Sequence, residues 1–164
     1  MKLLFLVRHA KSEWANDTLS DIDRPLNARG YRDAQFMSEL LDKRGYIPDL
    51  IVSSPAIRAV STALIFARRF NYPVAKIQLN ERLYEAAPST YIDVVAGLPK
   101  DVQNAMIFGH NPTITAVAAE LSGIPFENIA TTGIVGVKFD SPSWGSAVEV
   151  GGGLEFYEFP KKHG

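Results

Sequence analysis

Two arginines, two histidines and a carboxylate recur in this sequence at places where a chain can do chemistry. Arg8-His9 follows the apolar run from Leu3 to Val7, and Arg58 comes just after Ser53-Ser54-Pro55. His110 ends the run Asn104-Ala105-Met106-Ile107-Phe108-Gly109, and Glu81 and Glu85 stand between the last two segments. Guanidinium forks match the oxygens of a tetrahedral dianion bidentately. An imidazole held among such cations can attack phosphorus covalently, and a carboxylate can protonate the leaving group. Taken singly, each residue is also explained as a strand terminus, a helix surface or a solvated loop. Together they point to phosphoryl chemistry only if the fold gathers them at one end.

The intervening pattern predicts elements that would do this. Leu3 to Val7 reads as a strand buried on both faces, as in a parallel sheet, and ligands bind beyond the carboxyl ends of such strands. A long polar connection runs from Lys11 to Arg24, with Trp14 expected to cover the edge of the core; connections of that length are often functional. Asn27 can cap a helix over residues 28–44, where Ala34, Met37, Leu40 and Leu41 share one face, and Gly45 ends it. Residues 49–53 form a second strand. Ser54 and Pro55 read as the N-cap and N1 of a helix over 56–70, with Ile57, Val60, Leu64 and Ala67 as its buried stripe. Arg58 falls on another face, where it opposes the helix dipole and needs a compensating anion.

A third strand follows over 74–79, a loop carries Glu81 and Glu85, and Ser89 or Thr90 caps a helix through Leu98. The fourth strand covers 104–109. Asn111-Pro112 then opens a helix with Ile114, Val117, Ala118 and Leu121 inward and Gly123 at its end. Residues 133–139 and 153–159 form a β-hairpin around a Ser/Pro/Gly-rich turn, with a possible third strand at 147–150. The expected fold is a three-layer α/β/α sandwich, its sheet mostly parallel with a C-terminal antiparallel edge hairpin, in a single domain over 1–164.

Composition narrows the class. Lys and Arg total 17 against 18 Asp and Glu, a net charge of −1, which gives no general field for nucleic acid or an anionic membrane. There is no cysteine, so thiolate chemistry, disulfides and cysteine-ligated metals are excluded. No apolar run is long enough to span a bilayer, and Arg8 cuts the N-terminal one short. These features suggest a cytoplasmic location.

Leu6-Val7-Arg8-His9-Ala10, Ser53-Ser54-Pro55-Ala56-Ile57-Arg58-Ala59 and Gly109-His110-Asn111-Pro112 resemble the three signature blocks of the histidine phosphatase superfamily. Arg24-Pro25-Leu26-Asn27-Ala28-Arg29-Gly30 and Leu83-Tyr84-Glu85-Ala86 are similar to its phosphohistidine phosphatase (SixA type) branch. Ala10 stands where many relatives have Gly. The resemblance implies a phosphoglycerate mutase-like fold and a metal-independent, cofactor-free phosphatase. In that reading His9 is the nucleophile and is transiently phosphorylated. Arg8, Arg58 and His110 hold the phosphoryl oxygens, Arg24 and Asn16 join the substrate site, and Glu85 is the proton donor with Glu81 as the alternative.

Chain length bears on the substrate. Between Arg58 and Glu81, and again between Glu85 and His110, there is room for one helix and one strand, so no lid subdomain can be built. An open pocket disfavours a mutase, which must keep its intermediate from water. It favours phosphohistidine on a partner protein, with small phosphate monoesters as the alternative. Two further alternatives are a non-turning-over module that binds phosphorylated partners and a zinc site of His9, His110 and His163. The second is weakened by the place of His163 in a Lys-rich tail expected to be disordered.

Overall fold

β1 (Lys2–Arg8) sends its side chains alternately into two separate cores: Leu4 and Leu6 into one, Phe5 and Val7 into the other. All four are fully buried. The computed structural model describes residues 1–14 and 17–164. Along the chain come α1 (Ala28–Lys43), β2 (Leu50–Ser53), α2 (Ile57–Arg69), β3 (Gln78–Leu79), α3 (Pro88–Ala96), β4 (Asn104–Gly109), α4 (Thr113–Ser122), β5 (Ile134–Phe139), α5 (Trp144–Val150) and β6 (Gly153–Glu158).

Among the described residues the sheet has six strands in the order β3-β2-β4-β1-β5-β6. β3, β2, β4 and β1 pair in parallel, while β5 runs antiparallel to both β1 and β6. Helices α1 and α2 cover the Phe5 and Val7 face with Ala34, Met37, Leu41, Ala63, Phe66 and Ala67. Helices α3, α4 and α5 cover the other face with Tyr91, Val94, Ile114, Val117 and Trp144. The fold is the α/β/α sandwich expected, with its antiparallel pair at the C-terminal edge.

Several local expectations are corrected. The buried side of α2 is Arg58, Ala59, Thr62, Ala63, Phe66 and Ala67, and Ile57 is 42% exposed. Small residues let α2 lie close to the sheet, and that rotation carries Arg58 inward. Ala56, not Ser54, is the N-cap of α2; Ser54 is wholly buried, its Oγ accepting from the Ala56 N–H. Helix α3 begins at Pro88 with Ala87 as N-cap. Residues 74–76 form a 3-10 turn after Pro73, so β3 is only Gln78–Leu79.

The expected strand at 147–150 is instead part of α5, so β5 and β6 are joined by a helix and not a tight turn. Ser143 caps α5 by accepting from the Ser146 N–H, and Trp144 and Ala147, three apart, bury one face. The Lys-rich tail is ordered as a 3-10 turn over Pro160–His163. Lys162 and His163 both reach the buried Glu158, which also binds Arg44.

The connection after β1 is tied down at its base. Ser12 bridges to Leu26, the Glu13 N–H donates to the Pro25 carbonyl, and the Asn27 N–H donates to the Lys11 carbonyl. Asn27 caps α1 by accepting from the Gly30 N–H, as expected. Gly30 is the close point: a Cβ there would overlap the Lys11 carbonyl. Gly30→Ala should therefore force α1 and the connection apart and destabilise the chain by about 1–3 kcal/mol. Urea unfolding of the variant checks this; an unchanged midpoint would show that the contact yields without cost.

Candidate active site

The site begins with a register. β1 and β4 run parallel with Arg8 opposite Gly109, so the next residues, His9 and His110, leave the sheet side by side. The His9 N–H donates to the Gly109 carbonyl at 3.2 Å, and the imidazole centroids lie 5.2 Å apart. β2 is in register as well, with Ser53 opposite Phe108, which sets Ser54 beside His110. Ser54 Oγ lies 2.7 Å from His110 Nε2. On the other side, the Tyr91 hydroxyl accepts from the His110 N–H and donates to the Leu83 carbonyl.

Both imidazoles are buried among cations. Burial pushes the His9 pKa down to about 3, and His110, Arg58 and Arg8 lower it further against a hydrogen bond to Ala10. Burial likewise takes His110 down to about 4, with Arg58 adding to the effect and Asp21 opposing it. His9 is thus neutral near pH 7. Its Nδ1 lies 2.7 Å from the Ala10 carbonyl, which can only accept, so Nδ1 carries the hydrogen. That leaves the lone pair on Nε2, where it accepts from Arg58 Nε at 3.3 Å. The tautomer follows from an obligate acceptor, and it gives a neutral nitrogen nucleophile aimed at the cations.

Arg8 is fixed by donation from Nη1 to the Ile129 carbonyl. Its Nε is buried with no partner among the described residues, a donor suited to an oxyanion. Arg58 donates from Nη1 to the main-chain carbonyl of Asp21 at 2.7 Å and from Nη2 to its carboxylate at 3.0 Å. Arg24 donates to the other carboxylate oxygen of Asp21 and to Ser12 Oγ. Trp14 lies against the Arg24 guanidinium at 3.5 Å. Trp14 is 72% exposed, so it covers this cation and not the core edge as expected.

Two cavities meet here. One, about 280 Å³, is lined by Arg8, His9, Lys11, Ser12, Trp14, Arg24, Arg58, His110, Asn111 and Thr131. The other, about 430 Å³, is lined by Asp21, Arg58, Tyr84, Glu85, Ala86, Tyr91, His110, Asn111, Pro112 and Thr113. Arg8, His9, Arg24, Arg58 and His110 are therefore brought together around one cavity. Glu85 reaches the second cavity, exposed and with φ of +51°, whereas Glu81 lines neither. Asn16 lies outside the described residues. His163 is held by Glu158, away from both other histidines.

Sequence reasoning missed Asp21, Tyr84 and the contact of Ser54 with His110. A signal for the first existed, because an arginine at the start of α2 demanded an anion. That anion is Asp21, whose pKa is lowered to about 2 by the Tyr84 hydroxyl and by Arg58 and Arg24. No spacing rule could choose Asp21 over Asp17 or Asp23 within the same loop.

The family model of the histidine phosphatase superfamily, branch 1, matches residues 4–91. A Mycobacterium tuberculosis protein, itself named as uncharacterized, is 34% identical over 142 residues, covering 87% of this chain and 85% of its own. The Agrobacterium tumefaciens protein assigned as phosphohistidine phosphatase SixA superposes with a TM-score of 0.81 at 29% identity, covering 97% of this chain and 98% of that one. The protein histidine phosphatase SixA complexed with tungstate superposes at 0.84 with 21% identity, covering 98% of each, a likeness of fold.

The depressed histidines have a consequence for stability. Their folded pKa values lie below the unfolded one of 6.5, so as pH falls below 6.5 the unfolded chain takes up protons that the folded chain refuses. Stability should drop between about pH 6.5 and 4. His9→Gln should flatten that drop, read as Tm against pH; equal slopes in both proteins would contradict the burial argument.

Proposed function

We propose that this chain, which belongs to the histidine phosphatase superfamily, is a phosphatase that passes the phosphoryl group through His9 and acts on phosphohistidine carried by a partner protein. The observation that carries the proposal is the neutral His9, its Nδ1 hydrogen directed to the Ala10 carbonyl and its Nε2 turned toward Arg58. A mere binder of phosphorylated partners has no use for such a nitrogen at the centre of a cationic pocket.

The reaction follows from these groups. His9 Nε2 attacks phosphorus as the bond from phosphorus to the leaving group breaks, and the leaving atom takes up a proton. Arg8, Arg58 and His110 surround the phosphoryl oxygens, with their strongest contacts where charge accumulates in the transition state. Glu85, at the rim of the second cavity, is the proton donor in this reading. Water then attacks phosphorus, the Nε2–phosphorus bond breaks, and inorganic phosphate leaves with His9 restored. A phosphohistidine leaving group needs little help from Glu85, because its nitrogen is readily protonated. No step requires a metal, since the arginines neutralise the charge.

The substrate assignment is supported by the connections around the site. The rest of α2, two 3-10 turns and the two-residue β3 separate Arg58 from the Glu85 loop, and α3 and β4 lie between that loop and His110. Among the described residues no inserted subdomain roofs the pocket, which leaves room for a side chain presented on another protein. The SixA likeness at 29% identity points the same way.

The test is acid-labile phosphate trapping on wild type and His9→Ala, with EDTA present, using a chemically phosphorylated histidine protein and an aryl phosphate. Wild type should release phosphate much faster from the histidine protein, through an acid-labile adduct, and His9→Ala should form no adduct. Turnover of the aryl phosphate alone would replace the substrate assignment, and binding without turnover would replace the enzyme by a binding module. Arg58→Lys keeps the charge but loses the fork, and should lower kcat by about a hundredfold or more; activity near wild type would remove Arg58 from the reaction.

A further inference from the structure

The carboxylate of Asp21 already engages two of the cations that a phosphoryl group should want. Its Oδ2 accepts from Arg58 Nη2 at 3.0 Å and from the Tyr84 hydroxyl at 2.6 Å. Its Oδ1 accepts from Arg24 Nε and Nη2 at 3.2 and 3.0 Å. Two guanidinium groups of the cavity that holds His9 are therefore each engaged, before any substrate arrives, by one anion of this chain. Arg58 Nη1 donates to the Asp21 main-chain carbonyl, so a phosphoryl dianion that takes Arg58 Nη2 competes with the Asp21 carboxylate for that nitrogen.

The location of Asp21 decides what happens next. Its side chain is 47% exposed and sits on the 3-10 turn over Asp21–Asp23, outside the sheet. It can leave Arg58 without breaking a strand hydrogen bond. Asp21 and Glu85 line the larger cavity, which shares Arg58, His110 and Asn111 with the cavity containing His9 but does not itself contain His9. A leaving group in line with His9 must point away from that imidazole, and the larger cavity is the space available to it. Its carboxylates are Asp21 and Glu85, beside Arg58 and His110.

We propose that Asp21 is the specificity-determining residue of this site: a built-in counter-ion that the phosphoryl group displaces from Arg58, and whose negative charge beside the leaving group favours cationic leaving groups and rejects anionic ones. The inference rests on the phosphatase reading above and deepens it. A protonated imidazole or ammonium departs toward a carboxylate, while a carboxylate-bearing leaving group meets like charge at close range. The same competition weakens the hold of the arginines on free inorganic phosphate, a product.

Two measurements on Asp21→Asn test it, with Tyr84→Phe as a companion that keeps the carboxylate and removes one of its donors. The first is the Kd of inorganic phosphate by calorimetry, which does not depend on turnover. Asp21→Asn should bind phosphate about fivefold or more tightly than wild type; unchanged or weaker binding overturns the counter-ion. The second is kcat/KM for phosphoethanolamine, phenyl phosphate and phosphoglycolate, whose leaving groups are cationic, neutral and anionic. Asp21→Asn should lower the ratio of the cationic to the anionic substrate by about fivefold or more, and Tyr84→Phe should keep the wild-type ratio. An unchanged ratio in Asp21→Asn, or an equal change in Tyr84→Phe, overturns the charge selection. Wild type that turns over none of the three, nor a phosphorylated histidine protein, fails the phosphatase reading, and phosphate binding alone then judges the counter-ion.

Discussion

The parallel register between β1 and β4, Arg8 opposite Gly109, is the constraint on which the site depends. Because the two strands end together, one imidazole from each emerges at the same height, and the His9 N–H closes onto the Gly109 carbonyl. The apolar residues far from the site enforce this. A slip of one residue in β1 would turn Leu4 and Leu6 into the core that holds Phe5 and Val7, and the reverse, and would move His9 off its partner. Hydrophobic packing on both faces of the sheet is thus what holds two polar rings in place.

Burial that fixes the rings also sets their chemistry. An imidazole taken out of water beside guanidinium groups loses its proton, and the Ala10 carbonyl then chooses which nitrogen keeps the remaining hydrogen. The arginines pose the opposite difficulty, since they stay charged. Arg8 finds the Ile129 carbonyl, but Arg58, at the start of α2, has the helix dipole against it. Asp21 answers that need from the loop. The same residue that balances the pocket electrically therefore also stands in the substrate's way.

How much of this could be read in the chain depends on sequence distance. Strand runs and their terminal residues are local, so β1, β2, β4 and the placing of Arg8, His9, Arg58 and His110 were legible, as was the Asn27 cap. The stripe of α2 was misread because large apolar residues were given the core, whereas the close approach to the sheet favours Ala59 and Ala63 and leaves Ile57 outside. Residues 147–150 were misread because a short segment with β-branched residues fits strand or helix; the Ser143 cap and the Trp144–Ala147 spacing decided it. Asp21 could be demanded but not located. A loop brings its residues to a site by its whole path, and no periodicity records that path.

The floor and the rim of the site are therefore built differently. His9, His110 and Ser54 follow strand ends, and Arg58 follows the first turn of a helix packed by alanines, so their positions move only if the sheet does. Asp21, Arg24, Trp14, Tyr84 and Glu85 come from the two connections over the mouth. Phosphoryl transfer needs fixed distances between nucleophile, phosphorus and cations, and these reside in the floor. Choice among leaving groups needs only charge and shape a few ångströms further out. Loop substitutions can change that charge without disturbing a single strand hydrogen bond. A fold arranged this way keeps its chemistry while its substrate is renegotiated at the rim, and in this chain the rim is acidic and aromatic.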